Sequence, residues 1–251
     1  MILLVDAGNT RIKWRIVEGR VLRASGVVPT ASVADLAQAW RPYRCVGTLL
    51  SCVTDATTRA ELADVLASRD GVVQWLQPER EQYGLLNHYA SPAQLGADRY
   101  AALIAAARLK LGSCVVVCVG TATTVDGLDG HGEFLGGIIL PGPDLMRAAL
   151  LAGTGQIESR IQADRTPPAP SRFPRDTETA VATGIVLAQV GAIKAVCERV
   201  AEASAAPPVV ILTGGARHQV RDELQLELIE IEDLVLEGLA WIARETLSTA
   251  H

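Results

Sequence analysis

The feature that most limits the fold is a repeated opening. Residues 1–28, "MILLVDAGNTRIKWRIVEGRVLRASGVV", read as an apolar strand, a turn of Asp6-Ala7-Gly8-Asn9-Thr10, and two further strands joined by a Glu-Gly turn. The middle strand alternates with period two: Ile12, Trp14 and Ile16 face one way, Arg11, Lys13 and Arg15 the other. Residues 113–142, "SCVVVCVGTATTVDGLDGHGEFLGGIILPG", start the same pattern again: strand, Gly-Thr turn, strand, Gly-rich turn, strand. After the first meander come a helix in "SVADLAQAWRPY" capped by Ser32, a buried strand in "CVGTLLSCV", a helix in "DATTRAELADVLASRD" and a strand in "GVVQWLQP". After the second come helices in "PDLMRAALLA" and "TETAVATGIVLAQVGAIKAVCERVAEA", a strand in "PPVVILTGGAR" and a closing helix in "IEDLVLEGLAWIARETL".

The halves share pattern rather than residues. Together they predict a two-lobed α/β fold with mixed sheets and a ligand cleft between the lobes. The helix around residues 98–112 is the expected junction, giving lobes 1–112 and 113–251. Residues 79–95 read as polar and irregular, and the Pro- and Arg-rich segment 159–177 as a surface loop near the site or a subunit contact.

Composition removes several classes of function. Of the 251 residues, 49% are hydrophobic, enough for a large core, and the net charge of −5 gives no footprint for nucleic acid. With two Phe, four Tyr and four Trp dispersed along the chain, stacking platforms for single strands are missing too. No apolar run reaches the roughly 18 residues that a membrane span needs, and "MILLVDAGN" has neither a basic leader nor a small-residue cleavage site. A cytoplasmic protein without a membrane partner is expected. Cys45, Cys52, Cys114, Cys118 and Cys197 are an odd number without C-x-x-C pairing, and the three that sit in apolar strand-like runs read as small buried thiols. His88, His131 and His218 have no ligand spacing, so no zinc site is expected.

Two readings compete at Asp6-Ala7-Gly8-Asn9-Thr10. Asn or Asp beside glycine is ordinary hairpin chemistry. Equally, Gly8 lets backbone N–H groups approach a phosphate, Thr10 adds a hydroxyl donor, and Asp6 can hold Mg²⁺ through water. The second half breaks the tie, because Gly120 and Thr121 occupy the same point of its meander. Gly214 and Gly215 follow another buried strand, where backbone without side chains can lie against a nucleoside. Jointly these turns argue for a polyphosphate nucleotide. Asp126 and Asp129 read as solvated turn carboxylates.

At this point the chain resembles a family, the type III pantothenate kinases of the acetate kinase/sugar kinase/Hsp70/actin superfamily. The residues that carry the resemblance are the D-x-G-N-T start, "GADR" (96–99), "GTATTVD" (120–126), "GGIILPG" (136–142), "TETAVATG" (177–184) and "TGG" (213–215), in order along nearly the whole chain. The resemblance implies two tandem ribonuclease H-like (actin-like ATPase) lobes with an inter-lobe ATP cleft, a cytosolic homodimer, and ATP-dependent phosphorylation of pantothenate at the head of coenzyme A synthesis. It implies that Asp6, Ala7, Gly8, Asn9, Thr10, Arg11, Ile12 and Lys13 form the first phosphate loop and that Thr121 contacts ATP. Tyr89, Gly96, Ala97, Asp98, Arg99 and Thr177 would bind pantothenate, with Asp98 as general base.

The chemistry of Asp98 and Arg99 is consistent with that implication. Phosphoryl transfer passes through a loose transition state, so a carboxylate that orients the alcohol and takes its proton late suffices. The Arg99 fork suits a substrate carboxylate. The plainer reading is an acidic first turn of the following helix. Thr177 doubles as a candidate helix N-cap. Two departures stand out. Where the family has an aspartate that binds a monovalent cation (K⁺ or NH₄⁺), this chain has Cys118, a poor ligand for a hard ion. Where the family has Asn-Thr, it has Asp176-Thr177. The rival readings are another small-molecule kinase of the superfamily and a catalytically silent regulatory factor, since some family members are described as accessory factors for transcription.

Overall fold

The computed structural model describes residues 1–154 and 166–247. They form two compact units: Met1–Lys110 with 132–134 and 233 onward, and Leu111–His131 with 135–232.

In the first unit β1 (Ile2–Ala7), β2 (Arg11–Glu18) and β3 (Val21–Pro29) form the antiparallel meander. The strands β4 (Gly47–Cys52) and β5 (Val72–Trp75) add in parallel, giving the order β3-β2-β1-β4-β5. The period-two reading holds: Ile12, Trp14 and Ile16 are buried with Leu3, Val5, Leu36 and Trp40 in one core, and the Trp14 and Trp40 rings meet edge to face at 6.4 Å. Helix α1 (Asp35–Trp40) is shorter than expected, and Ser32 does not cap it. Residues Thr30–Ser32 instead make a 3-10 turn, and Ala34 precedes the helix without a side-chain cap. Helix α2 (Ala56–Ala67) is capped by Asp55, which accepts the Thr58 N–H at 2.8 Å.

Residues 79–95, expected to be irregular, contain β6 (Glu81–Gln82) and β7 (Leu85–Asn87), strands too short to show a period. Helix α3 (Ala97–Arg108) follows.

The second unit repeats the plan. Strands β8 (Cys114–Val119), β9 (Ala122–Leu128), β10 (Glu133–Pro141), β11 (Val209–Thr213) and β12 (Leu228–Glu230) take the order β10-β9-β8-β11-β12, the counterpart of the first sheet. β8 is antiparallel to β9 and parallel to β11, as β1 is to β2 and β4. The first residues of β10, Glu133 and Phe134, count with the first unit and pair with Leu86 and Asn87 of β7. Helices α4 (Pro143–Gly153), α5 (Thr177–Ser204) and α6 (His218–Leu224) complete this unit. Among the described residues α5 alone would qualify as a membrane span by length and composition, which the apolar-run reading missed, but half of the qualifying window is buried within the protein. Its Val186, Val190, Ile193 and Val200 lie in the second core with Val115, Val117 and Val210.

The closing helix α7 (Leu234–Thr246), expected in the second lobe, belongs to the first unit. Trp241 explains the attachment: Tyr83 meets its ring edge-on at 6.1 Å and the Arg108 guanidinium lies 3.6 Å over it. Of the segment 159–177, residues 159–165 lie outside the described residues. None of the five cysteines forms a disulfide, and burial pushes the Cys114 thiol up to about 12 and Cys197 to about 11.

Candidate functional site

In the first unit the chemistry gathers where β1, β2, α3 and the start of α7 meet. The hairpin after β1 closes with the Gly8 N–H donating to Arg11 O at 3.1 Å, and Thr30 holds it from the side, its hydroxyl donating to Gly8 O at 2.8 Å. Asn9, Thr10 and Arg11 are exposed at the tip, whereas Ala7 and Ile12 are wholly buried. Of the eight residues expected to form the phosphate loop, those two side chains therefore serve the core and have only backbone to offer a ligand. Lys13 lies opposite Asp6 in the β1–β2 register. Its Nζ is 2.5 Å from Asp233 Oδ1, and Arg15 reaches Asp233 Oδ2 at 3.2 Å and Glu237 at 2.5 Å. The start of α7 is thus tied to β2 by ion pairs spanning over two hundred residues of sequence. Burial alone would raise the Asp233 carboxyl, but the Lys13 and Arg15 bonds and charges outweigh it and hold it low.

Asp6 itself is pushed up to about 7, first by burial and then by the negative charges of Asp98 and Asp233, against the opposing pull of Lys13. Asp6 and Asp98 are therefore electrostatic neighbours although ninety-two positions separate them in sequence. Asp98 sits in the first turn of α3, and its Oδ1 accepts the Arg99 N–H at 2.8 Å. Burial raises its pKa, with that hydrogen bond and the Arg99 charge pulling the other way. The plainer sequence reading of this residue holds, since it lies in a helix's first turn, and it is also the electrostatic neighbour of a second carboxylate, Asp6. Gly96 makes room for it, because a Cβ there would lie 2.5 Å from Asp98 Oδ1.

Arg99 is 6% exposed. It donates to the Tyr89 hydroxyl at 2.9 Å, and its guanidinium lies 5.7 Å from the Tyr89 ring and 5.8 Å from Phe134. The two rings are 5.5 Å apart. Tyr89, Gly96, Ala97, Asp98 and Arg99 are thus brought together. Two members of this assembly escaped the sequence reading. Phe134 starts β10 and completes the aromatic wall. Asn87, 0% exposed, accepts the Tyr89 N–H at 3.1 Å and donates to Pro92 O at 3.2 Å, fixing the loop that presents Tyr89. A buried asparagine just before a loop aromatic was the available signal.

The second unit carries Thr121 and Thr177. Thr121 is exposed at the β8–β9 turn, which closes with the Gly120 N–H donating to Ala122 O at 3.0 Å. Cys118 holds the place that Asp6 holds in β1, two residues before the glycine, opposite Thr124 on β9 and Thr213 on β11. Thr177 opens α5 but does not cap it. The cap is Asp176, which accepts from both the Thr179 N–H and the Thr179 hydroxyl at 2.8 Å; those bonds hold its carboxyl below the usual range. Gly214 (φ +96°) is required by protein packing rather than by a nucleoside, since a Cβ there would lie 2.3 Å from Val119 O; Gly215 has nothing near its missing Cβ. Asp126 is not a solvated turn residue: it is 1% exposed within β9, while Asp129 is the turn residue, accepting the His131 N–H at 2.8 Å.

Comparison with known proteins identifies the family and the fold. The family model of type III pantothenate kinase matches residues 2–199. A type III pantothenate kinase of Nitrosospira multiformis is 39% identical over 251 residues, covering 100% of this chain and 94% of its own. That of Aromatoleum aromaticum is 42% identical and covers 98% of each chain. Among solved structures, the activator of the 2-hydroxyisocaproyl-CoA dehydratase from Clostridium difficile, with bound ADPNP, superposes with a TM-score of 0.56 at 14% identity, covering 100% of this chain and 98% of its own. That last likeness is one of fold, that of the actin-like ATPases. With both sheets in the same strand order and relatives alike over their full length, this chain belongs to the type III pantothenate kinase family.

Proposed function

We propose that this chain transfers the γ-phosphoryl group of ATP to the terminal hydroxyl of pantothenate, the first step of coenzyme A biosynthesis. The observation that carries the reading is the joining of Asp98, Arg99 and Tyr89 into one cluster beside Asp6. Arg99 and Tyr89 take the pantothenate carboxylate, the one as charged fork and the other as hydroxyl donor. Backbone at Gly96 and Ala97 lines the substrate, and Thr177 is a further substrate contact. Asp98 orients the hydroxyl and accepts its proton as the new O–P bond forms and ADP leaves. A carboxylate whose affinity for protons is raised by burial is better fitted to that acceptance than a solvated one.

Asp6, Gly8, Asn9, Thr10, Arg11 and Lys13, with the backbone of Ala7 and Ile12, are assigned to the phosphates, and Thr121 to ATP from the second unit. Mg²⁺ supplies charge neutralisation on the phosphates when bound. Asp6 suits it, because a hard cation held through water stabilises the ionised form that burial and Asp98 disfavour. A monovalent cation at Cys118 does not fit: a thiol and two neighbouring threonines are a weak donor set for potassium, and no step is assigned to it. Homodimerisation and a cytoplasmic location complete the reading.

The decisive experiment is complementation of a bacterial strain lacking pantothenate kinase, paired with assay of the purified protein. The wild-type chain is expected to restore growth. Asp98→Asn is expected to lower kcat by about 10²–10⁴-fold, the range of a general base, with fold and ATP binding retained. Near wild-type turnover in that variant would remove Asp98 from the role of base.

A further inference from the structure

The second-unit turn is fixed by a short relay of backbone contacts that ends on a buried amide. The Gly142 N–H donates to Thr121 O at 2.9 Å. Gly142 approaches so closely that a Cβ there would lie 2.0 Å from Gly120 O and 2.8 Å from Thr121 O, so no other residue fits without moving the turn. Gly142 is also the N-cap of α4, its carbonyl accepting the Met146 N–H at 2.9 Å. One residue back, Pro141 ends β10, and its carbonyl accepts from Gln189 Nε2 at 2.8 Å. The same amide nitrogen lies 3.2 Å from Met146 Sδ. Gln189 thus grips both sides of Gly142 at once, the end of a strand and the first turn of a helix.

Gln189 sits mid-way along α5, 0% exposed, on a helix whose other inward residues include Val186, Val190 and Ile193. Its Oε1 is buried and has no hydrogen-bond partner among the described residues. A buried polar side chain with an unsatisfied acceptor costs stability that an apolar residue of similar size would not. The orientation is nevertheless determined: the amide nitrogen must face Pro141, because the opposite flip would set two carbonyl oxygens against each other. A core chosen for stability alone would not place this residue here. What it accomplishes is the placement of Pro141–Gly142, and through them of the Gly120–Thr121 backbone.

We propose that Gln189 is a positioning residue for phosphoryl transfer, holding the Gly120–Thr121 turn through Pro141–Gly142 in the geometry that receives ATP. The inference rests on the assignment of Thr121 to ATP, and its test separates the two.

Gln189→Met keeps length and volume and removes the donor; Thr121→Ala probes the ATP contact directly. Each purified full-length variant is measured for KM of ATP, KM of pantothenate and thermal unfolding. Gln189→Met is expected to raise the ATP KM about tenfold, the factor one hydrogen bond carries, with the pantothenate KM unchanged and a Tm no lower than that of other conservative core substitutions. A raised ATP KM in Thr121→Ala with an unaltered one in Gln189→Met overturns the positioning role and leaves the ATP assignment standing. An unaltered ATP KM in Thr121→Ala removes the assignment and the inference with it. A lowered Tm in Gln189→Met with both KM values unaltered marks a purely structural residue. Should that variant fail to fold, Gln189→Glu supplies the same information. Its carboxylate repels the Pro141 carbonyl when ionised and donates to it when protonated, so its ATP KM relative to wild type is expected to fall as the pH is lowered. A pH-independent ratio overturns the proposal.

Discussion

The first turn is set in charge. Asp6 lies opposite Lys13, Lys13 is bound to Asp233, and Asp98 and Arg99 stand close by. The turn after β8 occupies the same place in an equivalent sheet, but the residue corresponding to Asp6 is Cys118, and its cross-strand partner is Thr124. Both turns rest on backbone donors, Thr30 N–H on Thr10 O and Val53 N–H on Ala7 O in the first, Gly142 N–H on Thr121 O and Ala216 N–H on Val119 O in the second, where Gln189 stands behind. The two halves thus share a backbone frame and differ in the charge set around it. Charge can respond to what binds, shifting protons and counter-ions, at the expense of desolvation. Backbone donors and glycine contacts cannot respond; they only present a fixed shape. On the proposed function, the first unit carries the chemistry and the second supplies a template.

The largest effect expected from breaking this contrast is at Asp6. Asp6→Asn keeps the shape and removes the charge, and is expected to lower kcat/KM by about 10²-fold or more, as loss of a group stabilising the transferring phosphoryl does. Stability is expected to move the opposite way. The Asp6 pKa is raised from 3.8 to about 7, so the folded state binds the proton more tightly than the unfolded chain. That contribution is fully present below about pH 3.8 and is lost as the pH rises through about 7. In metal-free buffer Asp6→Asn should therefore unfold at a higher temperature than wild type at pH 8, with the gap closing towards pH 5. Parallel Tm–pH curves for the two proteins would show that ionised Asp6 is not held at a cost.

A smaller effect is expected at Asp233. Asp233→Ala frees Lys13 and Arg15 from the start of α7 while leaving every residue of the phosphate turn in place. With Lys13 no longer held, the ATP KM is expected to rise about fivefold to tenfold and the pantothenate KM to stay constant. The ion pair is partly exposed, so the loss of stability on denaturant unfolding should be about 1 kcal/mol. A rise in the pantothenate KM alone would place Asp233 on the substrate side of the cluster instead.

The contrast between the turns was partly legible in the sequence, and the limits of legibility are physical. The meanders were readable because Ile12, Trp14 and Ile16 alternate with charged residues, and because glycine with hydroxyls ends the first strand of each half. Those are local signals. The Asp233–Lys13 pair, the Gln189–Pro141 bond and the packing of Phe134 on Tyr89 join residues 220, 48 and 45 positions apart, where neither period nor turn chemistry reaches. The closing helix was misassigned for the same reason: its amphipathic pattern says that it packs, and not on which unit. Ser32 satisfied the composition of an N-cap, but the chain tightens into a 3-10 turn before α1 begins. Asp126 resembled its turn neighbour Asp129, and only strand register separates the buried carboxylate from the half-exposed one. The Asp98–Arg99 pair was found through the resemblance, since four residues in a helix's first turn do not by themselves reveal the carboxylate they face.

The smallest change is also the sharpest probe of the comparison, because it makes the second turn more like the first. Cys118→Asp returns a carboxylate to the strand end, opposite Thr124 and Thr213. Thr213 is already engaged, its hydroxyl donating to Glu232 O at 3.1 Å, so it offers a lone pair but no free proton to a new neighbour. A carboxylate there has no lysine across the strand to neutralise it, as Asp6 has, and it must attract a cation or take up a proton. Hard monovalent ions are the natural counter-charge for an oxygen donor set of this kind, and a thiol is not. The variant is therefore expected to respond to K⁺ more strongly than the wild type, seen as a modest rise in kcat/KM when K⁺ replaces a large organic cation at constant ionic strength. Equal K⁺ responses in both proteins would mean that the cation acts elsewhere. If neither responds, the second turn is a template in which charge has no part.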